Sequence, residues 1–260
     1  MARFDKLEFG GSPEEPRQAV PAPRRHERDE AYWIAQADDC RRSGQYESAL
    51  RFYSRALEQD KSLVGCWIGQ ARMLIFLEEY PQAELWSRTG LGLFPSNAGL
   101  LASRAQAFCR MKQTRKAHEL SDGSLRQDSR SAYAWLVRGE IMVANRQDLD
   151  THCFDSAQQF DPDWLVPLEI ALVYLHYHVP SKALLRARRA VEMAPDRYYA
   201  WYVQGLCQEQ LGFDASARQS YQRCLELSPR ATDAERRLLA LDEQGWSPAR
   251  FFRRLFSRFS

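Results

Sequence analysis

The chain has 260 residues, 45% of them hydrophobic and 27% charged, which is enough to bury a substantial interior. Its 36 basic and 34 acidic residues leave a net charge of +2, which argues against the broad positive footprint of a nucleic-acid binder. No apolar run reaches the roughly eighteen residues of a membrane span, residues 1–9 lack a secretory apolar core, and six scattered cysteines without a C-x-x-C pair suggest neither a zinc site nor a disulfide framework. A reducing, cytoplasmic setting is therefore expected. The scarcity of lysine beside arginine (Lys6, Lys61, Lys112, Lys116 and Lys182 against 31 arginines) points to a GC-rich, bacterial coding bias.

Residues 1–29 hold a short apolar motif, Phe4, Leu7 and Phe9, followed by Gly10, Gly11 and a proline-rich mixed-charge stretch through Pro13, Pro16, Pro21 and Pro23. That composition cannot bury enough to offset ordering, so a disordered leader is expected. Helical periodicity begins near Asp29 and falls into similar blocks. The first supplies Trp33, Ala37, Gly44, Tyr46, Ala49, Tyr53 and Ala56; the second Trp67, Ala71, Tyr80, Ala83, Gly90 and Pro95. The third is degenerate, keeping Leu101, Ala105, Phe108 and Ala117 but carrying Ser121, Ser124 and Ser129 further on. Trp135, Gly139, Phe154, Ala157 and Pro162 mark the fourth, in which one residue is missing from the turn. Ala171, Tyr174, Ala183, Ala187, Ala190 and Pro195 mark the fifth, and Trp201, Gly205, Gly212, Ala217, Tyr221, Cys224 and Pro229 the sixth.

Pro95, Pro162, Pro195 and Pro229 expose the period: the last three lie 33 and 34 residues apart, and the first gap of 67 is two such steps. A fixed period of that length is the mark of stacked helical hairpins. The small residues let two antiparallel helices approach, the bulky ones fill the space beside them, and the proline ends the second helix.

The pattern resembles the tetratricopeptide repeat family, whose unit of about 34 residues favours tryptophan at position 4, small residues at 8, 20 and 27, and proline at 32. The resemblance covers roughly residues 30–231. It implies an all-α, right-handed α-solenoid of about six helix-turn-helix repeats. Residues 232–244 read as a capping helix, centred on Asp233 to Leu241, that covers the last apolar face.

Nothing in the chain reads as catalytic, and no cofactor is expected. Gly90-Leu91-Gly92 is an isolated pair inside a predicted helix, and no phosphate-loop G-K-[ST] occurs. His176 and His178 are two apart and so point to different sides of a helix, unlike a helical metal pair. His152 and Cys153 are sequence neighbours that point apart and lack an orienting third group.

The resemblance places a binding surface on the hollow face, at positions 2, 5, 6, 9, 12 and 13 of each first helix. Mapped onto the later repeats, these are Tyr133, Leu136, Val137 and Glu140; Leu165, Leu168, Glu169 and Leu172; and Tyr199, Tyr202, Val203 and Leu206. Excluding the two glutamates, these form the candidate protein-binding groove. The first two repeats offer Ile34, Asp38, Ile68 and Arg72, so the Lys and Asn that relatives use to clamp a terminal carboxylate are missing. An apolar groove of this kind suits an amphipathic or hydrophobic protein segment.

Residues 245–260 are the second informative segment. Pro248 stands at a helix start, and Phe251, Phe252, Leu255, Phe256 and Phe259 fall within an arc of roughly 140°. Arg250, Arg253, Arg254 and Arg258 take the other side. A basic amphipathic tail helix is expected, with Phe251, Phe252, Arg254, Leu255, Phe256 and Phe259 as docking residues, because clustered phenylalanines need a partner. The function expected is a noncatalytic scaffold binding a protein segment in its hollow. Two alternatives stay open: a peripheral membrane adaptor held weakly by the tail, or a self-associating scaffold whose end motifs occupy the groove. No nucleic-acid partner is expected.

Overall fold

A computed structural model describes residues 29–243. Within them thirteen helices follow one another and no strand occurs among the described residues. Six antiparallel hairpins pair α1 (Glu30–Arg42) with α2 (Tyr46–Gln59), α3 (Val64–Phe76) with α4 (Tyr80–Leu93), and α5 (Ala98–Arg110) with α6 (Thr114–Gln127). They continue with α7 (Ala132–Ala144) and α8 (Asp150–Phe160), α9 (Leu165–His176) and α10 (Pro180–Met193), and α11 (Tyr198–Gln210) and α12 (Asp214–Leu227). The last of the described helices, α13 (Thr232–Glu243), packs on α12. The leader and the basic amphipathic segment expected at 245–260 lie outside the described residues.

The turn inside each hairpin is built the same way. Gly44, Glu78, Lys112, Arg146, His178 and Gly212 all adopt left-handed backbone, with φ from 55° to 74°. They recur every 34 residues, except for 32 between Arg146 and His178. In each turn the next amide reaches back to a carbonyl five residues earlier, as Gln45 does to Cys40, Gln113 to Phe108 and Phe213 to Gln208. This closes the orphan carbonyls of the first helix. Four of the six positions lack glycine, so the bond pattern and not the residue type holds the geometry, at a cost that glycine would avoid. The fourth repeat is two residues shorter, and α8 is accordingly the shortest of the described helices.

The tryptophans at position 4 fasten successive hairpins. Their indole N–H groups donate to the carbonyl six residues earlier: Trp67 to Lys61 (3.0 Å), Trp135 to Ser129 (2.8 Å) and Trp201 to Pro195 (2.9 Å). One side chain thus fills the interface between repeats and satisfies the turn before it. The small residues act as expected. Gly139 lies against the buried Phe154 ring and Gly205 against Tyr221, with no room for a Cβ. Pro167 sits in the first turn of α9, where no intrahelical donor is lost.

The first helices α3, α5, α7, α9 and α11 also pack on one another in sequence, forming an inner layer. Ten of the twelve residues of α9 are buried, including Pro167, Glu169 and Leu168. The second helices form the outer layer, each with one buried stripe such as Ala183, Ala187 and Ala190.

Candidate functional site: a hollow closed on itself

The hollow face does not remain an open channel, because the first repeat reaches across it to the fifth and sixth. Arg41, in the last turn of α1, donates to Glu169 of α9 from Nε (3.1 Å) and Nη2 (2.7 Å). Arg72 of α3 takes the other carboxylate oxygen. Arg42 forms a two-pronged pair with Asp163 at 3.1 and 2.5 Å. The hydroxyls of Tyr46 and Tyr199 meet at 2.9 Å, and that of Tyr198 donates to the Ser43 carbonyl at 2.9 Å. Gly44 presses against the Tyr199 ring where a side chain would overlap it.

Burial would raise the Glu169 carboxyl, but the flanking Arg41 and Arg72 guanidiniums outweigh it and hold its pKa below the usual glutamate value. Asp163 is held low in the same way, burial being opposed by the hydrogen bond from Arg42.

The charged centre continues inward. The Arg72 guanidinium lies 4.0 Å from the centroid of the Tyr133 ring. Tyr133 donates to Gln106 (2.7 Å), Gln106 to Glu140 (2.6 Å), and Arg110 and Tyr177 complete the shell of Glu140. Basic side chains from the first three repeats thus meet buried acids from the fourth and fifth.

On either side of this plug a cavity opens. One, of about 300 Å³, is lined by Tyr46, Phe76, Leu172, Leu175 and Leu206, with Glu78, Arg110, His176, Glu209 and Arg237 among its polar walls. That volume stands at the lower end of the range for small ligand pockets, roughly 300–1,000 Å³. Burial and the nearby Arg110 push the His176 pKa down, so its ring is neutral at physiological pH. The other cavity, of about 440 Å³, lies between the first two repeats and is lined by Ile34, Tyr53, Leu63, Val64 and Ile68 together with Asp38, Arg41 and Arg72.

No family model matches the chain, and no curated protein matches it in sequence. Solved structures do. A tetratricopeptide repeat protein from Parabacteroides merdae superposes with a TM-score of 0.52 at 16% identity, over 84% of this chain and 86% of that one. The chain has the tetratricopeptide-repeat fold. A thermophilic tetratricopeptide repeat protein of Thermus thermophilus is similar at a TM-score of 0.49 and 18% identity, over 82% of this chain and 98% of the other. A chain of the Cut9–Hcn1 hetero-tetramer of APC/C gives 0.49 and 16%, over 84% of this chain; the match spans 44% of that chain's length.

Within the tetratricopeptide frame the ten groove residues expected from sequence separate into three groups. Leu136, Val137, Leu165, Leu168 and Val203 are buried in the helix–helix core, because closely stacked first helices leave these positions between neighbours. Tyr133 and Tyr199 belong to the closure. Leu172 and Leu206 face the smaller cavity, and Tyr202, half-buried, stacks beside Tyr199 with ring centroids 6.0 Å apart. The tail residues Phe251, Phe252, Arg254, Leu255, Phe256 and Phe259 lie outside the described residues.

Sequence reasoning missed Arg41, which lies 128 residues from Glu169. A signal was present in the opposite charges of Arg72, Glu140 and Glu169 at hollow-facing positions. His152 is exposed beside Trp135, and burial raises the neighbouring Cys153 thiol pKa, which opposes a thiolate there. Among the described residues no helix is long and apolar enough to cross a membrane.

Proposed function

We propose that this tetratricopeptide array is a noncatalytic protein-interaction scaffold that takes the apolar side chains of a short protein segment into the cavity between Tyr46, Phe76, Leu172 and Leu206. The observation that carries this reading is the apolar floor formed by Tyr46, Phe76, Leu172 and Leu206 beside the paired charges of Arg41, Arg72 and Glu169. Removing apolar side chains from water drives such docking, at about 25 cal/mol per Å² buried. The polar groups around the floor would orient the segment's backbone. Such a segment engages the mouth of the hollow and not its whole length, since Glu169 and its two arginines occupy the middle.

Panning a random peptide library against the full chain tests the proposal. The selected peptides should carry two or more apolar residues, and Leu206→Gln together with Leu172→Gln should weaken them at least tenfold while leaving the circular dichroism spectrum unchanged. Peptides that bind this double variant as tightly as the parent would place the site elsewhere.

A further inference from the structure

The cavity lies within reach of a segment of the same chain. Arg237 of α13 lines it and bonds to Glu209, another of its walls, at 3.2 Å. Arg218 fastens the end of the same helix through the Leu241 carbonyl (2.6 Å) and Asp242 (2.9 Å). From Arg237 to Glu243 the helix advances about 9 Å. The eight residues from there to Phe251 can extend by up to about 28 Å. Phe251, Phe252, Leu255 and Phe256 therefore fall within range of the apolar floor without any rearrangement of the array.

Size suits this occupant, and one exposed wall carboxylate suits its charge. An apolar cavity of about 150 Å³ accepts a benzene ring, so the roughly 300 Å³ here has room for two aromatic side chains. Among the charged walls Glu78 is exposed and would meet the arginines of the segment, Arg250, Arg253 and Arg254, while Glu209 is already held by Arg237 and Arg110 by Glu140.

We infer that residues 245–260 fold back onto their own molecule and seat phenylalanine rings between Phe76, Leu172 and Leu206, so that the segment competes with any partner for this cavity. The inference rests on the reading of that cavity as a peptide site and supplies its regulation. Tethering raises the segment's effective concentration to the millimolar range for a short linker. A contact with a dissociation constant near 0.1 mM would then be about nine-tenths occupied and would weaken a competitor about tenfold.

The test uses the full chain and a full-length variant carrying Phe251→Ser, Phe252→Ser and Phe256→Ser. A labelled peptide of residues 245–260 is titrated into each, followed by fluorescence anisotropy. The peptide should bind the variant about tenfold more tightly than the parent, and adding Leu206→Gln to the variant should abolish that binding. Equal affinity for parent and variant overturns the fold-back, as does binding that survives Leu206→Gln. A parent that sediments as a dimer while the variant is a monomer also overturns it, since the segment would then occupy a second copy. If library-selected peptides bind both chains equally and depend on Leu206, the fold-back fails while the peptide site stands. If neither these nor the 245–260 peptide depends on Leu206, both fail.

Discussion

Two buried glutamates, one repeat apart on the hollow face, hold different things together. Glu140 is satisfied by neighbours: Gln106 and Arg110 of the preceding repeat and Tyr177 of the following one, 30 to 37 residues away in sequence. Glu169 is satisfied from far away, by Arg72 and Arg41 at 97 and 128 residues. The first belongs to the stack, in which each repeat depends on the next one. The second belongs to the closure, which joins the first two repeats to the fifth across the hollow. The chemistry is the same, a carboxylate between donors, but only the second can be opened without unstacking the repeats.

The largest expected effect is at Glu140. With its side chain fully buried and Arg110 only 7% exposed, Glu140→Ala leaves the Arg110 guanidinium nearly buried without its carboxylate partner. It should cost about 3–5 kcal/mol, read from the midpoint of urea unfolding at an unchanged radius of gyration. Glu169→Ala should cost less, about 1–3 kcal/mol, because Arg41 and Arg72 can be hydrated if the hollow opens. Small-angle scattering should then show a larger radius of gyration. Equal losses of stability and equal radii for the two variants would erase the distinction drawn here.

Acid offers a gentler version of the same test. The Glu169 pKa is depressed in the folded state, so its contribution to closure is present above the ordinary glutamate value of about 4.3 and is lost as pH falls through the depressed one. The radius of gyration should stay constant from neutral pH down through the ordinary carboxylate range and rise only below it. Expansion near pH 6 would mean that another group holds the closure. The smallest effect belongs to Tyr46→Phe, which removes the hydroxyl contact with Tyr199 but keeps the ring stacked on Phe76 at 4.5 Å. A loss of about 0.5–1.5 kcal/mol with no change in radius is expected.

Much of the architecture could be read from the chain because each repeat is a local solution. Trp67, Ala71, Ala83 and Pro95 describe one hairpin and its junction without reference to any other part of the protein. Even the degenerate third repeat holds its place: Ser121 and Ser124 are fully buried where an aromatic and an alanine were expected, and Ser124 donates to the Ala98 carbonyl at 2.8 Å. The left-handed turns at Glu78, Lys112 and Arg146 carried no such signal, since none is a glycine.

The candidate site was only partly legible. Leu172 and Leu206 line a cavity, whereas Leu136, Leu168 and Val203 are consumed in packing between first helices. A position in the repeat specifies which side of a helix a residue occupies. It does not specify how closely the neighbouring helix approaches that side.

The sequence by itself determined the hairpins, their order, the residues between their helices and the opposite charges along the inner layer. Only the tertiary structure decided that these charges meet. A solenoid turns by a small rotation at each repeat, and that rotation is set by packing that no motif records. Accumulated over five repeats, it is this rotation that brings Arg41 to Glu169 and leaves an apolar cavity at the mouth.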